Sequence, residues 1–355
     1  MQGGFQAGGF PLPTSPGTWH YFAMINRRRM IAAATAGVVA LNTAGSVVAL
    51  AAGNSFTEFV AGVRTEAHRS GISVVTLDRA FQGVTVNQKV LDRDRNQPEF
   101  TMTWQRYRNI VLNDQRIASG REAWRQNRDL LARVQARYGV DPHVLLGIWG
   151  LESSFGTQTG GFHVIEALAT LAFDGRRASF FRGELMAALK ILEAGDITPA
   201  RMTGSYAGAM GQPQFMPTSY LKLAVDFDGH GRRDIWTDKA DVLGSIANYL
   251  ARSGWRAGEA WGGPATVPPG FDSGKAGREN RRSLTEWTRL GVRPAEGAWP
   301  GLESNGRNGL LALLWMDGTD GEAFLIGPNF SAIRRYNPSD FYGVGVGLLG
   351  DKVAG

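Results

Sequence analysis

The stretch Asp141-Pro142-His143-Val144-Leu145-Leu146-Gly147-Ile148-Trp149-Gly150-Leu151-Glu152-Ser153-Ser154-Phe155-Gly156 sets the reading of the chain. Aspartate is a favoured N-cap, and proline is favoured at the first helical position, where its missing N–H is not needed. A helix is therefore predicted to open at Pro142. The run that follows is apolar, and Glu152 falls about three turns along, near the C-terminus. Leu145, Ile148, Trp149 and Glu152 share one face by i, i+3, i+4, i+7 spacing, the face expected to be buried. A carboxyl at the end of such a face is desolvated, and the helix C-terminus opposes its charge. Both effects raise its pKa, which suits a general acid near neutral pH. The plainer alternative is a helix-end acid that is solvated or paired with an arginine.

Outward from this helix the organisation is mainly α. The chain has 355 residues, 43% hydrophobic and 20% charged, which excludes wholesale disorder and a multi-span membrane protein. Residues 55–139 read as mostly helical, interrupted by a polar loop at 84–100. Further helices are predicted at 165–172, 180–194 and 240–253, with a glycine-rich loop at 204–217. Beyond Trp255 glycine and proline accumulate. A short helix near 284–290 and strands at 310–315 and 323–326, joined by the turn 317–321, define a small, partly β subdomain over 256–330. Residues 331–355 are expected to return to the helical body. The domain boundaries read 1–51, 52–137, 138–255, 256–330 and 331–355.

The N-terminus has the three parts of an export signal. Arg27-Arg28-Arg29 precedes an apolar stretch from Met30 to Ala51, and Ala49-Leu50-Ala51 is a small-x-small exit. The alternative is a retained membrane anchor, since about 20 residues nearly suffice to span; membrane association is expected only in that case. Met24 or Met30 is an alternative start. Outside residues 1–51 there are 35 basic and 32 acidic residues, a balance that gives no nucleic-acid footprint. Cysteine is absent, which removes disulfides and thiolate chemistry.

Two further segments offer chemistry. In Gly204-Ser205-Tyr206-Ala207-Gly208-Ala209-Met210-Gly211-Gln212-Pro213-Gln214-Phe215-Met216-Pro217, small residues allow close approach of a ligand. Ser205 and Gln214 there can hydrogen-bond sugar hydroxyls or amides; no lysine follows where a phosphate loop needs one. Asp226-Phe227-Asp228-Gly229-His230-Gly231-Arg232-Arg233-Asp234 partly matches a calcium loop at positions 1, 3, 6 and 9, with the Arg232 carbonyl at position 7. It departs at position 5, where His230 replaces an oxygen donor, and at position 12, which is Thr237. A metal-free Asp/Gly turn is the other reading. Arg176-Arg177 could meet the carboxylates of a ligand, but a solvated helix start is the plainer reading.

Taken together, Tyr138-Gly139-Val140, Glu152 to Gly156, Gly204 to Pro217, Asp226 to Gly229, Ala247-Asn248-Tyr249 and Arg335-Tyr336-Asn337-Pro338-Ser339 with Tyr342 resemble the lytic murein transglycosylase B family (glycoside hydrolase family 103). The resemblance covers roughly residues 55–347. It implies a lysozyme-like helical catalytic core with a deep cleft, a flanking α region and the small partly β subdomain. It aligns Glu152 with the catalytic acid/base, Ser205 and Gln214 with glycan-holding residues, and Tyr249, Tyr336 and Tyr342 with aromatic residues lining the cleft. It also implies a structural calcium whose last carboxylate is Asp241, joining Asp226, Asp228, His230 and Arg232; no cofactor is required for catalysis.

Glycosidases ordinarily pair two carboxylates, about 5–5.5 Å or 6.5–9.5 Å apart. No second acid sits in either string, and Asp174 and Glu184 are placed by no motif. The expected reaction is therefore cleavage of the MurNAc–GlcNAc β-1,4 bond of peptidoglycan without water, leaving a 1,6-anhydromuramoyl end. A hydrolytic muramidase on the same fold and a non-catalytic murein-binding protein are the alternatives. The expected partner is a peptidoglycan glycan strand, the expected location the periplasm of a Gram-negative bacterium, and the expected state a monomer.

Overall fold

A computed structural model describes residues 55–96, 102–299, 301–302 and 309–354. The export signal predicted over 1–51 lies outside the described residues. Six helices come first: α1 (Phe56–Arg69), α2 (Val74–Ala80), α3 (Gln88–Arg95), α4 (Trp104–Val111), α5 (Asp114–Gln126) and α6 (Arg128–Tyr138). The segment read as a polar loop thus contains a helix, α3. Asn87 caps it by accepting from the Val90 N–H, and its few apolar side chains, Val90 and Leu91, are buried. Asn87 also donates to Glu166 Oε2 at 2.7 Å, so tertiary docking stabilises a sequence too polar to signal a helix by propensity alone.

The central helix α7 (Pro142–Ser153) starts as expected, with Asp141 accepting from the His143 N–H. Its burial exceeds the expectation of one face: Pro142 and every residue from Val144 to Ser153 are buried. It is therefore an interior helix, wrapped all round by others. Then follow β1 (Phe162–His163), α8 (Val164–Phe173), α9 (Ala178–Glu193), β2 (Thr203–Gly204), α10 (Pro217–Leu223) and α11 (Lys239–Arg252). The two-residue strands β1 and β2 pair antiparallel, Phe162 opposite Gly204, and tie the start of α8 to the glycine-rich loop.

The remainder comprises β3 (Gly262–Thr266), β4 (Arg281–Arg282), α12 (Leu284–Arg289), β5 (Arg293–Pro294), β6 (Leu311–Trp315), β7 (Ala323–Ile326), α13 (Pro328–Tyr336) and α14 (Asp340–Ala354). The strands form one antiparallel sheet in the order β4-β6-β7-β3-β5. Alternation along β6 and β7 sorts their side chains to two sides. Leu311, Leu313 and Leu325 join Trp287 of α12 in a small separate core, while Ala312, Leu314, Phe324 and Ile326 join the core of the helical body. The sheet is buried on both faces, and its short edges carry Arg281-Arg282 and Arg293-Pro294, which discourage further pairing.

Helix α14 packs along α7, and the contact is glycine-mediated. A Cβ on Gly147 would lie 2.1 Å from the Val346 carbonyl oxygen, and one on Gly350 would lie 2.3 Å from that of His143. Backbone meets backbone, so neither position admits a side chain. The pairs Gly147–Val346 and His143–Gly350 run in opposite directions along the chain, so the two helices are antiparallel. Extending this register brings the first turn of α14 to the last turn of α7, and therefore Tyr342 to Glu152.

Candidate active site

Glu152 is 1% exposed. Tyr342, itself 2% exposed, donates its phenolic O–H to Glu152 Oε1 at 2.8 Å across 190 residues of sequence. Burial, and secondarily the Glu152 charge, push the Tyr342 pKa well above the usual phenol value. A second buried phenol, Tyr107 of α4, is raised by burial and also feels the Glu152 charge. Behind it stands Arg116, 6% exposed, which donates to the carbonyls of Ile110 and Val111 at 3.1 and 3.2 Å and so caps α4. Desolvation lowers the Arg116 pKa to about 10. Tyr107 has no sequence signal of its own: Trp104, Tyr107 and Val111 follow i, i+3, i+7 spacing and read as a core stripe.

The chain leaves α7 through two consecutive non-glycine residues in the left-handed region, Ser154 (φ 48°) and Phe155 (φ 57°). Such residues cost roughly 1–2 kcal/mol each and need surrounding support. Part of it is capping: the Ser154 N–H donates to the Gly150 carbonyl at 3.1 Å and the Phe155 N–H to that of Trp149 at 3.3 Å. The Ser153 hydroxyl donates to the Trp149 carbonyl and accepts from the Gly156 N–H. Trp149 Nε1 donates to Gln212 Oε1 at 2.8 Å, and Gln212 Nε2 to the Trp236 carbonyl. The exit of the helix is thereby joined to the glycine-rich loop.

That loop is a compact, largely buried hairpin rather than an open turn. Met210 and Phe215 exchange backbone hydrogen bonds, and the Ser205 N–H donates to the Ala209 carbonyl. Ser205 Oγ accepts from the Ala209 N–H at 3.0 Å, so the hydroxyl sits within the turn. Gln214 also takes a left-handed conformation (φ 53°). Its amide donates to the carbonyls of Thr159 and Gly211 at 2.9 and 2.7 Å. Both side chains are 2% exposed. Tyr336 donates to the Pro213 carbonyl at 2.5 Å, and its ring lies 4.6 Å from that of Tyr249. Tyr249 is half-buried and donates to the Arg335 carbonyl at 2.6 Å. Tyr336 is 2% exposed, so its ring braces the loop more than it offers a stacking face.

The two unplaced acids have other work. Asp174 pairs with Arg95, and Glu184 accepts from the Thr218 N–H and hydroxyl at 2.9 and 2.7 Å, capping α10. Arg176 and Arg177 both pair with the buried Asp94, which is a structural occupation rather than a free basic surface.

In the 226–241 loop, Asp226, Asp228 and Asp241 bring carboxylate oxygens within 4.8 Å of one another. Asp241 is 1% exposed and accepts from the N–H groups of Phe227 and Asp234, both at 2.7 Å. Desolvation first, then the charges of Asp238 and Asp226, push its pKa up to about 6. His230 faces Asp228 (3.1 Å) and Asp238 (3.7 Å). Asp238 was not singled out from sequence because it reads as the N-cap of α11, which it also is.

Comparison with known proteins agrees with this fold. The transglycosylase SLT domain model matches residues 55–351. The membrane-bound lytic murein transglycosylase B of Escherichia coli (strain K12) is 36% identical over 258 residues, 71% of this chain and 67% of that protein. The crystal structure of SltB3 from Pseudomonas aeruginosa in complex with NAG-anhNAM-pentapeptide superposes with a TM-score of 0.81 at 44% identity, over 85% of this chain and 80% of that one. The Escherichia coli lytic transglycosylase Slt35 in complex with calcium superposes with a TM-score of 0.69 at 33% identity, over 84% and 92%. The lysozyme-like, mainly helical fold and these matches agree, and the chain belongs to the SLT-domain lytic transglycosylases, lyases that cleave peptidoglycan.

Proposed function

We propose that Glu152 is the single acid/base of this transglycosylase and that Tyr342 holds its carboxyl. One observation carries the reading: Glu152 is buried at the end of an interior helix, hydrogen-bonded by Tyr342, while Asp174 and Glu184 are engaged elsewhere. With one carboxyl, the substrate supplies the missing group. Glu152 protonates the glycosidic oxygen as the C1–O bond breaks, and the 2-acetamido oxygen of the muramoyl residue supports the developing positive charge. Glu152, now a carboxylate, takes the proton of the 6-hydroxyl as that oxygen attacks C1. The products are a free 4-hydroxyl and a 1,6-anhydromuramoyl end, with no water consumed. Proximity favours the intramolecular attack over bulk water, and acid–base assistance is typically worth about 10²–10⁴-fold.

In this reading Ser205 and Gln214 shape the wall of the glycan site, Tyr249 offers the accessible aromatic face, and Tyr336 supports the loop. The test is mass spectrometry of products from purified murein sacculi, with Glu152→Gln alongside. Anhydromuramoyl products that vanish in the variant are expected. Reducing ends would make the enzyme a muramidase, and unchanged turnover of the variant would remove Glu152 from the mechanism.

The loop carboxylates fit a calcium ion. Asp226, Asp228 and Asp241 are hard oxygen donors that come within 4.8 Å of one another, and burial first, with the charges of Asp238 and Asp226 second, raises the Asp241 pKa, so a cation bound there would favour its carboxylate form. The ion would supply cross-linking of the loop to α11, and no catalytic step involves it. Murein lies outside the cytoplasmic membrane, and Arg27 to Ala51 carries the signal pattern, so we infer export to the periplasm with cleavage before Ala52. N-terminal sequencing of the mature protein checks this; an intact apolar segment would mean a tethered form.

A further inference from the structure

Phe155 is not a substrate contact in the reading above, yet its surroundings are built around it. Its ring meets that of Trp149 edge-on, 5.7 Å apart at 83°. A Cβ on Gly150 of α7 would lie 2.7 Å from Phe155 Cζ, and one on Gly120 of α5 would lie 2.8 Å from the same atom. The tip of the ring therefore occupies a slot that exists only because two different helices carry glycine at facing positions. To reach it, the backbone passes through two successive left-handed residues. The slot and the strain belong to one device, since the strained turn aims the ring and the seated ring over-determines the turn.

We propose that Phe155 is a positioning residue for the reaction: seated on Gly120 and Gly150 against Trp149, it fixes the last turn of α7 and so the carboxyl of Glu152. This rests on Glu152 being the acid. The geometry gives the route. Trp149 lies one turn before Glu152 and is held at three points. Phe155 packs on its ring, Gln212 accepts its Nε1–H, and its carbonyl accepts from Ser153 Oγ and the Phe155 N–H. From one side the turn is anchored to α5, from the other to the glycine-rich loop. Tyr342 reaches Glu152 from α14 at hydrogen-bond distance, so a shift of the last turn toward the vacated slot lengthens that bond. Misplacement of a catalytic group by about 1 Å can cost about 10²-fold.

The test uses the full chain with Phe155→Ala, Phe155→Leu, Tyr342→Phe, the Phe155→Ala/Tyr342→Phe double variant and Glu152→Gln. Steady-state kinetics on soluble glycan strands are measured at a temperature where circular dichroism shows each variant folded. Phe155→Ala is expected to lower kcat by about tenfold to 100-fold with KM unchanged, and Phe155→Leu, which fills the slot only in part and cannot reproduce the edge-on contact with Trp149, to lower it in the same way but to a smaller extent. In the Tyr342→Phe background the same substitution is expected to cost far less, because both act on one carboxyl. A purely structural role gives a lower melting temperature with wild-type kcat in the folded fraction, or full additivity with Tyr342→Phe; either overturns the proposal. If Phe155→Ala does not fold, Phe155→Leu decides: a reduced kcat at constant KM supports positioning, and a wild-type kcat overturns it. Retained turnover in Glu152→Gln would instead sink the acid assignment itself, a failure distinct from that of Phe155.

Discussion

Tyr342 and Tyr336 stand six residues apart, both buried, both donating one phenolic hydrogen bond, and their acceptors separate their roles. Tyr342→Phe keeps the ring and removes the donor to a carboxyl. A hydrogen bond to a charged group is worth about 1.5–3 kcal/mol, so a kcat loss of roughly tenfold to 100-fold is expected, read on soluble glycan strands. Tyr336→Phe leaves the Pro213 carbonyl without that donor and is expected to cost about 1–3 kcal/mol of stability in denaturant titration, with a smaller effect on kcat. The sequence alone could offer Glu152, Ser205 and Gln214 as candidates, because chemistry-bearing types stand in distinctive strings. It could not name Tyr107, whose helical spacing makes it look like ordinary core. It also could not tell that Ser205 Oγ lies inside its own turn, since that depends on backbone conformation. The split between a donor to carboxyl and a donor to carbonyl is three-dimensional information, carried by the register of α14 on α7.

Helix α7 was legible because cap, proline and apolar run agree, whereas α3 was not, because Gln88 to Arg95 is polar and is held by docking on α8 through Asn87. The α7–α14 crossing offers a sharp test. Gly147→Ala would place a Cβ 2.1 Å from a backbone oxygen, which cannot move without shifting α14. Although alanine is the better helix former, a loss of about 1–3 kcal/mol or more is expected. Activity should fall with it, since the same crossing sets Tyr342 against Glu152. At the 226–241 loop the expectation is one of pH. The Asp241 pKa stands at about 6, above its unfolded value, so without calcium the folded state holds the proton more tightly. Its contribution to stability is greatest below the unfolded pKa and is lost as pH rises through about 6. Calcium needs the carboxylate, so the rise in Tm on adding calcium should be clear near about pH 7.5 and shrink toward zero near about pH 5. An equal rise at both values, or none at either, would count against Asp241 as a ligand.

At the scale of the molecule, the small sheet is tied into the helical body by residues far apart in sequence. Trp104, at the start of α4, donates its backbone N–H to Asp317 Oδ1 at 2.8 Å and its Nε1–H to Glu322 Oε2 at 2.7 Å. Its ring meets Phe324 of β7 edge-on at 5.7 Å. On the other side, a Cβ on Gly347 of α14 would lie 2.1 Å from the ring of Trp261. The strands expected at 310–315 and 323–326 could be read from two short apolar runs and the turn between them, but the strand order β4-β6-β7-β3-β5 could not. Pairing across long connections leaves no local pattern, and neither does the partner of an apolar face. Because Ala312, Leu314, Phe324 and Ile326 belong to the core of the body, the sheet and the helices should unfold together. Trp104→Ala removes a 1% exposed indole from that seam and is expected to cost about 3–5 kcal/mol. Calorimetry should show the main transition moving down as a whole, with helical and aromatic circular dichroism lost in parallel. Were the sheet an independent unit, the variant would split the transition and leave helical melting in place. The α14 helix that touches Trp261 also carries Tyr342, so the cooperative outcome would make the sheet a support for the active site.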